Sequence, residues 1–302
     1  MIQEPLISVV IPAYNAEKFI VKTLDSVMAQ TFKNYELIIV DDGSSDQTAK
    51  VVEEYLKKHD LRGQCIRQQN KKIAGARNTG MRAATGELIA LLDHDDSWYP
   101  EKLEAVNIAF KKHPEAVLVG HRMNVTKDGR VLYTALKGPS TGRMYEHLLF
   151  KGGSVTPSGA VVRRDKAMDI GGFRENPEFN TVEDYDFWMR LSQVGLFHFI
   201  DQVLAEYSMV ENSASSRVDY HYGNLEALLR DHFASYFKGM PDLWARRLMR
   251  RRLAMVYRAA AGALYASHAS RERQMEYVYR MLRAYPYSPK NLARALCCFL
   301  SK

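Results

Sequence analysis

Three short runs of apolar, mostly branched residues stand in the first third of the chain, each followed by polar or turn residues. They cover residues 6–11 (LISVVI), 36–40 (ELIIV) and 87–92 (ELIALL). Apolar runs of this length, bounded by turn residues, are typical of parallel strands buried on both faces. Helical patterns fill the intervals, at residues 16–29, 46–59 and 73–84. This alternation predicts a doubly wound α/β sheet, whose ligands gather beyond the carboxyl ends of the strands.

The pattern loosens in the middle of the chain. The next helix and two further strands are expected at residues 99–112, 116–125 and 130–136. From about residue 220 onward the pattern is nearly all helical and is broken by prolines. We therefore expect an α/β domain over residues 1–219, with halves 1–98 and 99–219, and a helical region over residues 220–302.

Composition narrows the class of protein. The 302 residues are 46% hydrophobic and 25% charged, as in an ordinary globular enzyme rather than a disordered or fibrous chain. The net charge of +7 is unevenly distributed, because residues 220–302 hold 15 Lys and Arg against 5 Asp and Glu. Such a basic region can serve nucleic acid, an anionic membrane leaflet or a phosphorylated acceptor, and composition does not choose among them.

The cysteines and the N-terminus indicate the compartment. Cys65, Cys297 and Cys298 form an odd set, and adjacent cysteines rarely make a structural disulfide, so a reducing cytosol is indicated. Cys65 is interpreted as a strand residue. The first residues lack the basic start of a signal peptide, and no segment has the roughly 20 apolar residues of a spanning helix. The expectation is a cytoplasmic protein, or one peripheral at the inner face of the cell membrane.

The first two predicted strands end in polar segments. One runs into Pro12-Ala13-Tyr14-Asn15, and the next into the sequence DDGSSD over residues 41–46. A carboxylate at a strand's carboxyl end can accept hydrogen bonds from a nucleobase or ribose, and small residues let the backbone approach a ligand. A turn followed by a helix N-cap would explain Asp46, but not the two adjacent acids at its start.

A cluster of acids follows the third predicted strand. Asp93, Asp95 and Asp96 place three carboxylates within four residues, and these repel one another unless a cation lies among them. Mg²⁺ or Mn²⁺ bridging to substrate phosphates is a common solution, because such ions need few protein carboxylates. The alternative is a solvated acidic turn in which Asp96 caps the next helix.

Five segments together resemble a known family. PAYN, DDGSSD, NKKIAGARNTG, DHDD and EDYDFWMRL occur in the order and approximate spacing of family 2 glycosyltransferases, from residue 5 to about 210. The resemblance implies a GT-A fold, with a Rossmann-like nucleotide-binding half over residues 1–98 and an acceptor-side half over 99–219. It also implies inverting transfer of one sugar from a UDP-sugar to an acceptor hydroxyl, in surface polysaccharide or glycoconjugate assembly.

The resemblance also implies roles for individual residues on the donor side. Pro12, Tyr14 and Asn15 would border the base and ribose, and Asp42 would read the uracil edge. Arg77 would lie near the donor phosphates, Asp93 would contact the ribose or donor sugar, and Asp95 would bind Mn²⁺ or Mg²⁺.

On the acceptor side, Asp184 would be the general base, because an inverting transfer needs a carboxylate on the face opposite the leaving diphosphate. The local alternative is that these acids favour the N-terminus of a helix. The other acceptor-side candidates are Gly172, Phe173, Glu183 and Trp188. Trp188 could stack on a sugar, or it could be a core residue.

The sequence departs from the family after a strand near residue 205. Many members carry a Tyr-Arg-x-His pattern whose His supports the metal and diphosphate, whereas this chain has Tyr207-Ser208-Met209-Val210. His221 or Arg217 could substitute, or the site could rely on Asp95 and water. The Gln-x-x-Arg-Trp signature of processive synthases is also absent, which favours single-sugar addition.

The basic region contains one segment of mixed character. Residues 243–266 combine six arginines with Trp244 and several aliphatic residues. Such a helix could lie in a membrane interface, which would suit a lipid-linked rather than a free glycan acceptor. Alternatively, its apolar stripe packs on the catalytic domain or on a second subunit of a homodimer. Nucleic acid is disfavoured as a partner, because no recognised module accompanies the charge.

Two competing functions remain open at this level. A nucleotidyltransferase also places acids and a metal after parallel strands, although no glycine-rich basic triphosphate loop follows the first strand. A catalytically degenerate member that binds nucleotide or acts as a scaffold is the other alternative, suggested by the missing His. A dehydrogenase is disfavoured, because PAYN stands where a Gly-x-Gly-x-x-Gly turn would be.

Overall fold

The structure is a computed structural model that describes residues 6–135, 138–140, 142–153, 155–209, 217–239 and 242–300. Contacts divide the chain into two units. The described residues of Met1–Tyr145, Gly153–Asn176 and Glu183–Val210 form the first unit, and those of Glu146–Gly152, Pro177–Val182 and Glu211–Lys302 form the second. The functional division at residue 219 stays a prediction.

One sheet organises the first unit, and the described residues contribute nine strands to it. The strands are β1 (Ile7–Ala13), β2 (Tyr35–Asp41), β3 (Gly63–Arg67), β4 (Leu88–Leu91), β5 (Ser97–Trp98), β6 (Ala116–Lys127), β7 (Arg130–Ala135), β8 (Ala160–Arg163) and β9 (Leu196–Ser208). Their order is β3-β2-β1-β4-β8-β6-β9-β5, with β7 beside β6. Strands β3, β2, β1 and β4 are parallel, β8 is antiparallel to both its neighbours, and β6 is parallel to β9.

Helices connect these strands and form most of the second unit. They are α1 (Ile20–Met28), α2 (Thr48–Lys58), α3 (Lys72–Ala83), α4 (Lys102–Lys112), α5 (Met144–Lys151), α6 (Arg164–Asp169), α7 (Glu183–Leu191), α8 (Val218–Tyr236), α9 (Asp242–Ala266), α10 (Arg271–Ala284) and α11 (Pro289–Leu300). The strand and helix alternation predicted for the first hundred residues is therefore confirmed. No helix in the described ranges is both long and apolar enough to cross a membrane.

The apolar runs predicted as strands occupy the centre of the sheet. All seven residues of β1 are buried, as expected for a strand covered on both faces. The strand continues through Pro12 to Ala13, and the register places Ala13 beside Asp41 and Val10 beside Leu91. The carboxyl ends of β1, β2 and β4 therefore lie at one edge of the sheet, where their polar segments meet. Cys65 lies in β3, as predicted, and burial raises the pKa of its thiol to about 11.

Neither acid predicted as a helix cap stands at the N-cap position, which is Gln47 in α2 and Glu101 in α4. The Asp46 carboxylate accepts the Thr48 backbone N–H at 3.0 Å, at the first residue of α2. Asp96 does not cap the following helix, which begins at Lys102. Its carboxylate is instead buried and accepts the N–H of Ser208 on β9 at 3.0 Å. The interpretation of Asp96 as part of a solvated turn is wrong, because a contact distant in sequence removes it from water.

The second unit has an apolar core of its own. Helices α9 and α10 contribute Leu253, Ala260, Val278 and Met281, all of them buried. Pro289 opens α11, as expected for a proline at the first position of a helix. The side chains of Cys297 and Cys298 lie outside the described residues.

Candidate active site

Two polar segments meet at the sheet edge formed by the ends of β1 and β2. Asn15 has a positive φ of 48°, and its backbone N–H donates to Ser44 Oγ at 2.9 Å. Its side-chain oxygen accepts the Ser45 N–H, also at 2.9 Å. The side chain of Tyr14 is 48% exposed beside this junction, although it is a large aromatic residue. The predicted donor residues Pro12, Tyr14 and Asn15 are therefore brought together with the segment that follows β2.

Asp42 directly follows β2, which ends at Asp41. Its Oδ1 accepts two hydrogen bonds, from Gln68 Nε2 at 2.7 Å and from the Lys71 backbone N–H at 2.8 Å. These bonds fix the carboxylate while Oδ2 makes no hydrogen bond within the described chain. Gly43 next to it has a φ of +77°, which a residue with a side chain rarely adopts. Asp42 therefore presents one oriented acceptor oxygen at the strand end.

Arg77 lies at the centre of a buried charge cluster. Its Nη2 donates to Asp93 Oδ1 at 2.7 Å and its Nη1 donates to Glu183 Oε1 at 2.8 Å, while the guanidinium lies 5.3 Å from the centroid of the Phe173 ring. Burial disfavours the charge, but the carboxylates of Asp93 and Glu183 outweigh it and raise the pKa of Arg77. The Arg77 side chain is only 2% exposed, and both terminal nitrogens bind carboxylates. Its place near the donor phosphates stays a prediction.

The acidic turn after β4 is held by hydrogen bonds from other segments. The Asp93 backbone N–H donates to Ser158 Oγ at 3.0 Å, and the Thr23 hydroxyl contacts the carbonyl oxygens of His94 and Asp96, each at 2.8 Å. His94 Nδ1 lies 3.1 Å from the Pro12 carbonyl oxygen. Three segments distant in sequence therefore hold the backbone and the His94 ring of this turn in place.

The Asp95 carboxylate accepts a hydrogen bond from its own backbone N–H and makes none to another of the described residues. Burial raises its pKa, His94 opposes that shift, and the neighbouring Asp93 adds to it. No group of three His, Cys, Asp or Glu side chains in the described residues is arranged to hold a metal ion. The chain offers Asp95 as a single carboxylate, which fits an ion that draws its other ligands from water and substrate phosphates.

Asp184 lies in the first turn of α7, directly after Glu183. Its Oδ1 accepts the N–H of Tyr185 at 2.7 Å. Burial and the neighbouring Glu183 carboxylate raise the pKa of Asp184 to about 7, with Arg77 acting in the opposite direction. A carboxyl group with this pKa can accept a proton near neutral pH and is a strong candidate for acid–base chemistry.

The segment predicted to lie near the acceptor is anchored to helix α3. Asn78 binds both backbone groups of Phe173, accepting its N–H and donating to its carbonyl, each at 2.8 Å. Gly172 has a φ of +70°, and a Cβ at this position would lie 2.5 Å from Asn78 Oδ1. The Phe173 ring is buried and stacks on Phe187 with the ring centroids 4.2 Å apart. The side chain of Phe173 is therefore a packing element, and the place of this segment near the acceptor stays a prediction.

Trp188 and Glu183 also face inward. The indole of Trp188 is fully buried, and its Nε1 donates to the Val155 carbonyl at 2.7 Å. Stacking on an acceptor sugar is corrected for Trp188, since no part of the ring reaches solvent. Glu183 is 5% exposed and is paired with Arg77, and its acceptor-side role stays a prediction.

Three polar residues of this region escaped prediction. Ser158 supports the acidic turn and Asn78 supports the glycine segment, and neither has a local signal in the sequence. Asp186 is fully buried and accepts hydrogen bonds from Arg174 and Arg190. The four-residue spacing between Asp186 and Arg190 on one helix was the available signal.

The place of the family's supporting His is only partly described. Ser208 and Met209 lie at the end of β9, whereas Val210 lies outside the described residues. The suggested substitutes, Arg217 and His221, belong to the second unit. There His221 Nδ1 lies 3.2 Å from Thr181 Oγ1, and burial lowers the pKa of the imidazole. Substitution for the missing His stays a prediction.

Comparison with known proteins identifies the class of enzyme. The family described as "Glycosyl transferase family 2" matches residues 8–171, which contain the strand ends and the acidic turn described above. The chain belongs to this family. A family 2 glycosyltransferase transfers sugars, so the predicted enzyme class is confirmed.

Individual relatives agree with this assignment. The "Amylovoran biosynthesis glycosyltransferase AmsB" of Erwinia amylovora is 34% identical over 221 residues, which span 69% of this chain and 71% of AmsB. Residues 1–349 of S. aureus TarS, solved in complex with UDP-GlcNAc, match with a TM-score of 0.68 and 20% identity over 93% of this chain and 81% of that fragment. PcManGT of Pyrobaculum calidifontis, solved with GDP-Man and Mn²⁺, matches with a TM-score of 0.61 and 19% identity over 100% and 89%. The predicted GT-A fold is confirmed.

Proposed function

We propose that this enzyme transfers one sugar from a UDP-sugar to an acceptor hydroxyl with inversion, in the assembly of a surface polysaccharide or glycoconjugate. The observation that carries the proposal is the Asp184 carboxyl, whose raised pKa of about 7 occurs beside the cluster that joins Glu183, Arg77 and Asp93. AmsB supports the pathway class by its name, and the TarS complex supports UDP as the carrier.

The donor nucleotide is proposed to bind at the ends of β1 and β2. Asp42 Oδ2 can accept a hydrogen bond from the uracil N–H, because Oδ1 is already held by Gln68 and Lys71. Tyr14 is exposed beside the base position and can cover it, while Pro12 and Asn15 shape the adjoining wall. Asp93 accepts a hydrogen bond from Arg77. We propose that Asp93 also contacts the ribose or the donor sugar.

A divalent cation is proposed to be held by Asp95. The fit rests on the burial of this carboxyl beside Asp93, which raises its pKa, and on its making no hydrogen bond to another of the described residues. A bound cation would offset this burial and repulsion. Mn²⁺ or Mg²⁺ would neutralise charge on the departing diphosphate. PcManGT was solved with Mn²⁺.

Asp184 is proposed as the general base. The acceptor oxygen attacks the anomeric carbon as its proton passes to the Asp184 carboxylate, while the bond between that carbon and the UDP oxygen breaks. The electron pair of that bond leaves with UDP, and a single displacement of this kind inverts the anomeric configuration. Burial and Glu183 make Asp184 basic enough for this step near neutral pH, and the Arg77 charge keeps the shift from going further.

A UDP-release assay tests the proposal. The protein is incubated with a panel of UDP-sugars, Mn²⁺ and lipid-linked or free glycan acceptors, and Asp95→Ala and Asp184→Asn are compared with Asp128→Asn, an exposed acid in the β6–β7 turn. Loss of about 100-fold or more in the first two variants is expected, because general acid–base catalysis typically contributes 10² to 10⁴. Calorimetric UDP binding should survive Asp184→Asn.

Three results would contradict the proposal. Unimpaired turnover in both variants would remove the assigned roles of Asp95 and Asp184. Pyrophosphate release from a nucleoside triphosphate would indicate a nucleotidyltransferase. UDP binding without turnover across the panel would indicate a degenerate, nucleotide-binding member of the family.

A further inference from the structure

The first turns of helix α9 carry an unusual surface. Its exposed residues are Leu243, Trp244, Arg246, Arg247, Arg250 and Arg251, which we call the α9 cationic face. Leu243 is 79% exposed and Trp244 is 62% exposed, although both are large apolar residues. The spacing of three and four residues places the set on one side of the helix, over about 12 Å of its length.

Three arginines of this face have no acidic partner among the described residues. Arg247, Arg250 and Arg251 form no ion pair with any acidic side chain that the structure describes. Elsewhere in the same unit, by contrast, Arg230 pairs with Glu226 and Arg273 with Asp219. Arg252, the next residue along α9, points inward and donates to the Leu149 carbonyl at 3.1 Å. The buried Arg252 therefore has a structural contact, whereas the arginines of the α9 cationic face are exposed.

We propose that the α9 cationic face docks on an anionic lipid surface, with Trp244 and Leu243 at the level of the headgroups and the arginines on lipid phosphates. Tryptophan is favoured at membrane interfaces because its ring is apolar while its N–H is polar. Arginine binds phosphate oxygens through two parallel hydrogen bonds. The 6.0 Å distance from the Arg247 guanidinium carbon to the Trp244 ring centroid shows that the cation and the apolar anchor share one surface.

Charge complementarity favours lipid over the other occupants. A second copy of this chain would bring the same arginines to a two-fold contact, and like charges facing each other oppose association. Single-stranded nucleic acid is bound in basic grooves with several stacking aromatics, whereas this face is convex helix surface with one aromatic ring. An aliphatic anchor such as Leu243 gains by leaving water for the lipid boundary, and it gains nothing on a phosphate polymer.

The docking is independent of the proposed sugar transfer, because vesicle binding requires neither donor nor acceptor. The chain also carries a built-in probe. Of its three tryptophans, Trp98 and Trp188 are 3% and 0% exposed, so Trp244 is the one that can enter a lipid interface. A blue shift of tryptophan fluorescence on adding vesicles would therefore report the environment of Trp244.

The test uses the full chain with vesicles of phosphatidylcholine alone or with about a third phosphatidylglycerol, at low and high salt. Sedimentation and fluorescence are measured for wild type and for Arg250→Gln/Arg251→Gln. The matched control is Arg283→Gln/Lys290→Gln, which removes two exposed cations from the same unit outside this face. Each basic residue near an anionic leaflet contributes about fivefold in affinity, so the first pair should lose about 25-fold while the control pair loses little.

A second comparison tests the apolar anchor. Leu243→Ser/Trp244→Ser should weaken sedimentation with anionic vesicles, whereas Tyr287→Ser, at an 85% exposed aromatic in the same unit, should not. Unchanged circular dichroism in all variants excludes misfolding. Equal binding to neutral vesicles, equal losses in variant and control pairs, or no vesicle binding at all would overturn the proposal. Binding to RNA in preference to anionic vesicles would overturn it in favour of nucleic acid.

Discussion

Arg77 Nη1 lies 2.8 Å from Glu183 Oε1, and this buried ion pair joins helix α3 to the first residue of helix α7 across 106 residues of sequence. The same guanidinium holds Asp93 at the end of β4. One side chain thus links the acidic turn on the donor side to the helix that carries Asp184. The two hydrogen bonds of Arg77 therefore hold the turn after β4 and the start of α7 at a fixed distance from each other.

Replacing Arg77 with methionine should destabilise the fold strongly. The substitution keeps an apolar stem but leaves Asp93 and Glu183 without their cation, and breaking a buried pair of this kind costs about 3–5 kcal/mol. Urea unfolding at pH 7.5 would measure the change. Arg77→Met/Glu183→Gln should recover part of the loss, because the second change removes a buried charge that has no partner. Equal instability of the single and double variants would contradict an electrostatic origin.

The rate of sugar transfer should depend on pH through Asp184. A general base acts when it is ionised, so kcat/KM should rise with pH and level off above about 7, the raised pKa of this carboxyl. Removing the Arg77 charge should raise that pKa further, and Arg77→Met should therefore shift the rising limb to higher pH. A pH profile of UDP release under subsaturating donor checks both statements. A limb that stays near pH 4 would contradict the raised pKa of Asp184, because an unshifted aspartate ionises there.

The raised pKa of Asp184 also makes the free energy of unfolding depend on pH. A carboxyl whose pKa is higher in the folded than in the unfolded state binds more protons when folded. The contribution of the Asp184 carboxyl to the free energy of unfolding is fully present below its unfolded pKa of about 3.9. This contribution is lost as the pH rises through the folded pKa of about 7. Asp184→Asn should therefore gain stability relative to wild type on going from pH 5 to pH 8. Parallel unfolding curves of the two proteins across that range would contradict the raised pKa.

Two adjacent glycines provide a matched test of the segment near the proposed acceptor site. Gly171 and Gly172 have φ values of +80° and +70°, so alanine at either position costs about 1–2 kcal/mol in backbone strain. A Cβ at Gly171 would meet nothing within 4 Å, whereas a Cβ at Gly172 would lie 2.5 Å from Asn78 Oδ1. Gly172→Ala should therefore cost roughly 1–3 kcal/mol more than Gly171→Ala in urea unfolding. Equal costs would show that Asn78 moves aside.

Local sequence patterns predict the central strands and the polar residues at their carboxyl ends. The apolar runs located β1, β2 and β4, and the polar residues that follow them are the ones the structure brings together. Pairings between distant segments had no local signature. Asp96 was interpreted as a helix cap because the helix is near in sequence, whereas its hydrogen bond is to Ser208, 112 residues away. The pairing of Arg77 with carboxylates from the turn after β4 and from α7 likewise has no local signature.

Trp188 shows the same limit, because helical spacing does not tell which face of α7 is covered. Its Nε1 donates to the Val155 carbonyl at 2.7 Å in the core, so Trp188→Phe should leave that carbonyl unpaired and cost about 1–3 kcal/mol. The acceptor KM should be unchanged, since the ring is fully buried.

Tyr14→Ala is the contrasting variant. Because the Tyr14 side chain is 48% exposed, this substitution should raise the donor KM with little change in Tm. Thermal unfolding and steady-state kinetics on both variants separate the two roles, and a higher acceptor KM with an unchanged Tm in Trp188→Phe would restore Trp188 to the acceptor site.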